Sequence, residues 1–452
     1  MRKHRLVTLA VTAVAVVMTG CTLNRPEDPV VLTGANVPSL SSVAAGDVVA
    51  FRWINRWLQV PVQVDERKQV DFGTLYNSSS MGFATTVYAD ANTFAGADTN
   101  ANVDADDEIA FMAKDTGSEA PGGSGNPAGV VAGSGVKVRV RSNLNGTADG
   151  WIYLFKRSGT LSPGAGQKYV DYAFNLLSGN YKTTYRLQDG PNPENSTVSS
   201  PYYSTHFADR WLKDELRIKT GNATEVDILD RAKALFAPGV CVRSENTFND
   251  AEGAFIVNKS GPVRALRSYI GANSGPLTQR EHVFYERRED VRTFLRVHAI
   301  PGVMDFHDYS AAAGGMTYKS NPAPGGVTVD GVPDSPAAGQ LSWESLDGPQ
   351  GGLTIAHSTS TDVPSFTSTS YYFDDSTPGT GAETQCTGDN QSFGASGPWI
   401  NRSIPNTDPR DTPFNRLLAT RTLYFDAPST ANGAARSAQA TSPFAITATS
   451  YP

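Results

Sequence analysis

Forty-two glycines and 28 prolines are dispersed among Ser, Thr and Asn along 452 residues, and short apolar runs keep returning between them. Glycine and proline at this density punctuate a chain into turns, and proline removes the donor that a helix interior requires. Many short strands are therefore expected. Residues 136–141 (Val-Lys-Val-Arg-Val-Arg) alternate strictly and read as a half-buried strand. Residues 151–155 (Trp-Ile-Tyr-Leu-Phe) form a continuous apolar run suited to a strand covered on both faces. Further strands are expected at 47–58, 59–64, 261–270, 281–287 and 291–299, the last two joined by the charged corner Arg288-Glu-Asp290. In the final segment Val291, Thr293, Leu295 and Val297 share one side, and Arg292, Phe294, Arg296 and His298 the other. Only 208–219 and 225–237 suggest short helices, the second stopped by Pro238-Gly239. The fold class that follows is all-β: a multi-stranded β-sandwich with long loops and few short helices.

The first residues carry an address. A basic start (Arg2, Lys3, Arg5) precedes an apolar run of 13 residues, 6–18, and then Thr19, Gly20 and Cys21. The run falls short of the roughly 20 residues a membrane-spanning helix needs. Charged start, short apolar core and small-residue cut site describe a secretory leader. Met-Thr-Gly followed by cysteine is similar to the bacterial lipoprotein arrangement, which implies lipidation of Cys21 and a membrane partner through that lipid. Residues 1–20 are thus assigned to the leader, and 21–46, polar and aperiodic with Pro26, Pro29 and Pro38, to a flexible tether. An N-terminal β domain is placed at 47–160 and a larger sandwich at 161–452.

Lipid on Cys21 leaves Cys241 and Cys386, an even remainder that reads as one disulfide in an oxidising compartment. Closing a loop that long stabilises a fold by about 4–5 kcal/mol in the chain-entropy model. Without the three basic residues of the leader, the mature chain has 35 basic against 45 acidic side chains. Such a surface repels phosphate backbones, and no block of Lys and Arg interleaved with aromatics reverses that, so nucleic acid is not an expected partner. No Cys-x-x-Cys, Gly-x-Ser-x-Gly, His-Glu-x-x-His or phosphate loop occurs. Thiol redox chemistry, the common serine hydrolases, zincins and nucleotide-driven enzymes are therefore disfavoured.

Residues 98–108 are the most specific chemical signal. Asp98, Asn100, Asn102 and Asp104 alternate as the first ligands of a calcium loop do, and Asp106, Asp107 and Glu108 follow. Val103 stands where an EF-hand needs glycine, and Ile109 where it needs a bidentate glutamate, so the expectation is a calcium loop of another kind. The alternative is a solvated acidic turn.

Candidate catalytic groups cluster near the strongest β region. His282, Tyr285, Arg296 and His298, with Arg267 and Tyr269 beside them, could supply a proton-transfer group and a cation for an acidic sugar. The alternative is a charged sheet face laced with cross-strand pairs. Asp305 and His307 fall on one side of an extended segment, with Asp308 next to them, and suggest a metal-dependent hydrolase only if further ligands join.

Val60-Pro-Val-Gln-Val-Asp-Glu66 and the later Asp104-Ala-Asp-Asp-Glu-Ile-Ala-Phe-Met-Ala-Lys-Asp-Thr-Gly117 resemble a pattern of exo-acting rhamnogalacturonan lyases and related secreted β-proteins. Gly261-Pro-Val-Arg264 is similar to strand openings in the supersandwich folds of polysaccharide lyases. About 40 residues separate the first two motifs here, where the pattern has a handful. The resemblance implies a supersandwich-like fold and a glycan context, and transfers no catalytic residue. The expected function is an exported, lipid-anchored β-protein that binds or processes extracellular polysaccharide with calcium holding one loop. The alternatives are a non-catalytic structural or adhesive lipoprotein and the metal-dependent hydrolase.

Overall fold

Alternation at 136–141 becomes the strand Gly135–Ser142, with Val136, Val138 and Val140 buried and Lys137, Arg139 and Arg141 half-buried on the other side. It pairs with Ala148–Lys156 through a turn in which Asn145 and Gly146 both take positive φ (58° and 101°), a conformation these two residues tolerate best. The computed structural model describes residues 23–180, 193–273, 275–379 and 387–452, so the leader, Cys21 and Cys386 lie outside the described residues.

The five-stranded sheet runs Ala445–Tyr451, Gly135–Ser142, Ala148–Lys156, Val48–Trp53, Trp57–Val60. A three-stranded sheet of Pro29–Thr33, Glu108–Met112 and Gln63–Asp65 packs on it across Leu32, Val48, Ile109, Phe111, Val138 and Leu154. Two expectations change here. The segment 21–46 is no tether from Leu23 onward, because Leu23, Val30, Leu32, Val37, Leu40 and Val43 are all buried in this core. Its elements are one five-residue strand and three single-turn 3-10 helices, too short to leave a period in the sequence. The unit begun at 47–160 is also completed by both ends of the described chain, since Ala445–Tyr451 closes its sheet.

The larger body is built on a nine-stranded antiparallel sheet. Its order is Ala254–Ser260, Ala265–Ala272, Gly275–Phe284, Arg288–Leu295, Leu417–Asp426, Gly351–Thr361, Trp343–Gly348, Thr317–Ser320, Val327–Thr328. One face packs on two four-stranded sheets. The first comprises Asp171–Ala173, Ser196–Ser199, Tyr203–Phe207 and Lys213–Ile218; the second comprises Leu229–Leu235, Val303–Tyr309, Ser392–Ile400 and Thr369–Asp375. Phe207, Leu216, Phe284, Val291, Tyr309 and Leu423 fill the layer between them. The opposite face packs on the N-terminal lobe through Tyr88, Met112, Leu266 and Val283. The all-β, multi-stranded sandwich architecture is what the chain adopts, with three short α-helices among the described residues.

The segments 208–219 and 225–237 contain strands, not helices: Lys213–Ile218 and Leu229–Leu235. Their apolar spacing suits either period over so few residues, and the partner strands Tyr203–Phe207 and Val303–Tyr309 decide for β. The corner at 288–290 lies within the strand Arg288–Leu295, where Glu289 is fully buried by pairing with Lys213 and His282.

Candidate functional site

The three motifs that carried the family resemblance meet in space. Arg264 donates from Nε to Asp65 at 2.8 Å and from Nη2 to Glu108 at 2.8 Å, and the Tyr88 hydroxyl donates to Glu108 at 2.7 Å. Gln63 donates to both oxygens of Asp65 and accepts from the backbone N–H groups of Val263 and Arg264. A Cβ on Gly261 would stand 2.1 Å from the Gln63 amide oxygen, so glycine is what lets the two segments touch. Burial alone would raise Glu108, but Arg264, Tyr88 and Arg67 override it and bring the carboxyl to about 2. The cluster ties the three-stranded sheet to the nine-stranded one. It also removes Glu108 from the calcium set, because its oxygens serve two arginines and a tyrosine.

The rest of residues 98–108 behaves differently. Asp98, Asp104 and Asp107 each place a carboxylate oxygen so that all three lie within 4.8 Å of one another. Asp107 is fixed from both sides: its Oδ1 accepts from the Arg67 N–H at 2.8 Å and its Oδ2 from the Asp104 N–H at 2.9 Å. Gly34 closes the loop from beneath, since a Cβ there would meet the Asp104 carbonyl oxygen at 1.8 Å. Desolvation, followed by the neighbouring Asp104, raises Asp106 to about 6, and burial likewise pushes Asp107 up. Asn100 donates to Asp104 at 3.3 Å and its Oδ1 accepts from the Asn102 N–H, so these two shape the turn and Asn102 points to solvent. A hard cation would be held by Asp98, Asp104 and Asp107, with Asp106 at the rim.

The four candidate catalytic residues do not converge. Arg267, His282, Val291, Arg421 and His357 stand directly opposite one another across five strands, all facing the interior layer. In that row His282 Nδ1 lies 2.9 Å from Glu289 and Nε2 3.1 Å from the Tyr269 hydroxyl. Burial, not offset by Glu289, lowers His282 to about 3, so both ring nitrogens of a neutral imidazole are committed. Tyr285 faces the opposite side of the sheet, with its hydroxyl 3.4 Å from Arg264. Arg296 lies over Phe72, Phe83 and Phe294, and burial lowers it to about 10. His298 is exposed, 3.6 Å from Asp411; Asp408 completes a three-donor group with them but is already paired with Arg410. Arg267 is locked to Glu194 in a fully buried pair at 2.6 Å. The cross-strand reading of this face is the one the geometry meets.

Asp305 and His307 do share a side of their strand, yet Asp305 is held by Arg280 at 2.7 Å and Arg421 at 3.0 Å. Asp308 turns to the other side, where Lys233 meets it at 2.5 Å. The hydrolase centre therefore does not assemble. Between the sheets Asp305, Arg421, Thr293 and His357 line a cavity of about 40 Å³, room for a few waters and not for a sugar ring. His357 is held by Glu344 at 3.0 Å. The register that joins His357 to Arg421 spans 64 positions of sequence, beyond the reach of any local signal.

A larger opening lies at one end of the five-stranded sheet, unmarked by any motif. It holds about 500 Å³ and is lined by Glu119, Pro121, glycines 122, 123 and 125, Lys137, Ser450 and Tyr451. Lys137 and Glu119 pair at 2.7 Å, both partly exposed. The Tyr451 hydroxyl and the Trp57 Nε1 both donate to the Gly125 carbonyl, at 3.2 and 3.1 Å. Tyr451 also packs edge-on against Trp57, Tyr153 and Phe155. Gly123 and Gly125 take positive φ (84° and 64°) with open space beside them, so backbone conformation, not crowding, requires glycine there.

No protein-family model matches the chain, and no curated protein matches it. Among solved structures, the Slr1438 protein of Synechocystis sp. PCC 6803 aligns at 10% identity and a TM-score of 0.32, covering 55% of this chain and all of that one. A putative aldose 1-epimerase of Escherichia coli K12 aligns at 10% identity and a TM-score of 0.29, covering 57% of this chain and all of that one. The class the coordinates define is a multi-sheet, all-β sandwich protein.

Proposed function

We propose that this is an exported protein, anchored by lipid on Cys21 and steadied by calcium at residues 98–107, that binds an extracellular saccharide in the cleft beside Tyr451. The observation that carries the reading is the cleft itself. Its volume lies within the roughly 300–1,000 Å³ of ligand sites. It offers an aromatic ring for the apolar face of a sugar, and an ion pair and glycine backbone for its hydroxyls. Binding is favoured over processing because His282 and Tyr285 are buried on opposite faces of the sheet with their polar atoms already partnered, and His298 stands apart from both at the surface. Calcium is supported by the three converging carboxylates, which repel one another without a cation. The Cys241–Cys386 bridge belongs to the same export reading and is supported by the even number of cysteines left once Cys21 carries the lipid.

Titration with neutral and acidic oligosaccharides, read by tryptophan emission, tests the proposal, since Trp57 lies 5.8 Å from the Tyr451 ring. Glu119→Gln and Lys137→Ala should each weaken binding about tenfold, the loss of one hydrogen bond to a charged group. Absorbance at about 235 nm should stay flat, since an eliminating lyase raises it through the alkene it forms. If no oligosaccharide binds, the structural or adhesive role takes its place.

A further inference from the structure

We infer that the lipid seats one end of the five-stranded sheet on the bilayer and holds the cleft at the far end of the same strands, facing away from it. The inference rests on the proposed anchor at Cys21. Only Thr22 separates that cysteine from Leu23, which is buried at 4% exposure. Consecutive Cα atoms are at most about 3.8 Å apart, so the first core residue stands within about 8 Å of the lipidated one. A flexible tether over 21–46 would have allowed roughly 25–30 Å. The short distance removes that freedom and fixes which surface meets the lipid.

That surface is the turn at 143–147. Asn24 donates to the Leu144 carbonyl and accepts from Ser142 Oγ at 2.9 Å, while Leu23 lies against Gly150. On the other flank Arg25 donates to the Gln439 carbonyl at 3.1 Å and stacks over Phe444 at 3.8 Å. The anchor therefore leaves the body beside the turn that joins Gly135–Ser142 to Ala148–Lys156. The cleft lies at the opposite end of those strands, where Gly135 pairs with Tyr451. Eight residues at about 3.4 Å each place it about 25 Å from the turn. A partner held in the cleft would thus approach from the side away from the membrane.

The test uses the full acylated protein in vesicles of phosphatidylethanolamine and phosphatidylglycerol carrying a brominated lipid. A fluorophore on Thr147→Cys should be quenched at least threefold more than one on Gly122→Cys. Both sites are exposed, and a Cβ on Gly122 meets nothing within 4 Å. Inserting twenty Gly/Ser residues after Thr22 should abolish the difference. Equal or reversed quenching in acylated protein overturns the inference and leaves the anchor standing. An unmodified N-terminus by mass spectrometry overturns both. Saccharide binding is measured separately, so failure of the cleft as a binding site does not alter where the label finds it.

Discussion

Replacing Glu108 by glutamine separates the two roles that its sequence position allowed. In the structure its carboxylate accepts from Arg264, Arg67 and Tyr88 and lies 13% exposed. Its folded value of about 2 sits well below the ordinary 4.5, because those partners outweigh the cost of burial. A depression of that size corresponds to about 3 kcal/mol of stability. The sign follows from proton counting. Between the two values the unfolded chain binds the proton more readily, so stability is fully present above about 4.5 and is lost as pH falls through about 2. Glu108→Gln should therefore lower stability by about 3 kcal/mol at pH 7, or roughly 3–6 °C in melting temperature for a chain this long. The deficit should shrink towards zero as the pH is taken to about 2, and it should be the same with calcium or with a chelator. Thermal unfolding by circular dichroism from pH 7 to 2 measures all three. A loss under 1 kcal/mol at pH 7, or one that appears only with calcium, would refute the ion-pair assignment and return Glu108 to the cation.

Calcium in excess should raise the melting temperature of the native protein by a degree or two, and Asp104→Ala should abolish that rise, whereas Asp171→Ala should not; calorimetry with and without chelator decides. Because Asp106 is raised to about 6, calcium affinity should fall as pH drops through that value, which isothermal titration at pH 7.5 and 5.5 would register. Mass spectrometry of the mature chain should find acylated Cys21, and non-reducing peptide mapping should recover Cys241 linked to Cys386; free thiols at both would rule out the bridge. Gly125→Ala, at a φ of 64°, should cost about 1 kcal/mol and weaken saccharide binding by shifting the loop that Trp57 and Tyr451 hold.

The sandwich class was legible because its signals are local. Strict alternation in 136–141 and the glycine and proline spacing hold in whatever company the strands keep. The acidic loop was legible in part, since Asp98, Asp104 and Asp107 do converge, while Glu108 was drawn off by Arg264, 156 positions away in sequence. The catalytic set was misread for a related reason. His282 and Tyr285 are three residues apart in sequence, but period-two geometry sends them to opposite faces of the sheet. The core hidden in 23–46 left no periodicity, because its elements are one turn or one short strand each.

Sequence by itself determined the all-β character and the presence of an acidic turn, since each depends on neighbours within about a dozen residues. Tertiary structure decided that three separated motifs form one buried ion-pair cluster, that His282, His357, Arg267 and Arg421 of the large sheet are paired with the buried carboxylates of Glu289, Glu344, Glu194 and Asp305, and that both ends of the described chain complete the N-terminal lobe. It also placed the cleft, where residues 119–125 meet 450–452. The reason is physical: a strand's partners and the face it buries are set by hydrogen bonds and packing with segments hundreds of residues away, and a linear reading carries no register.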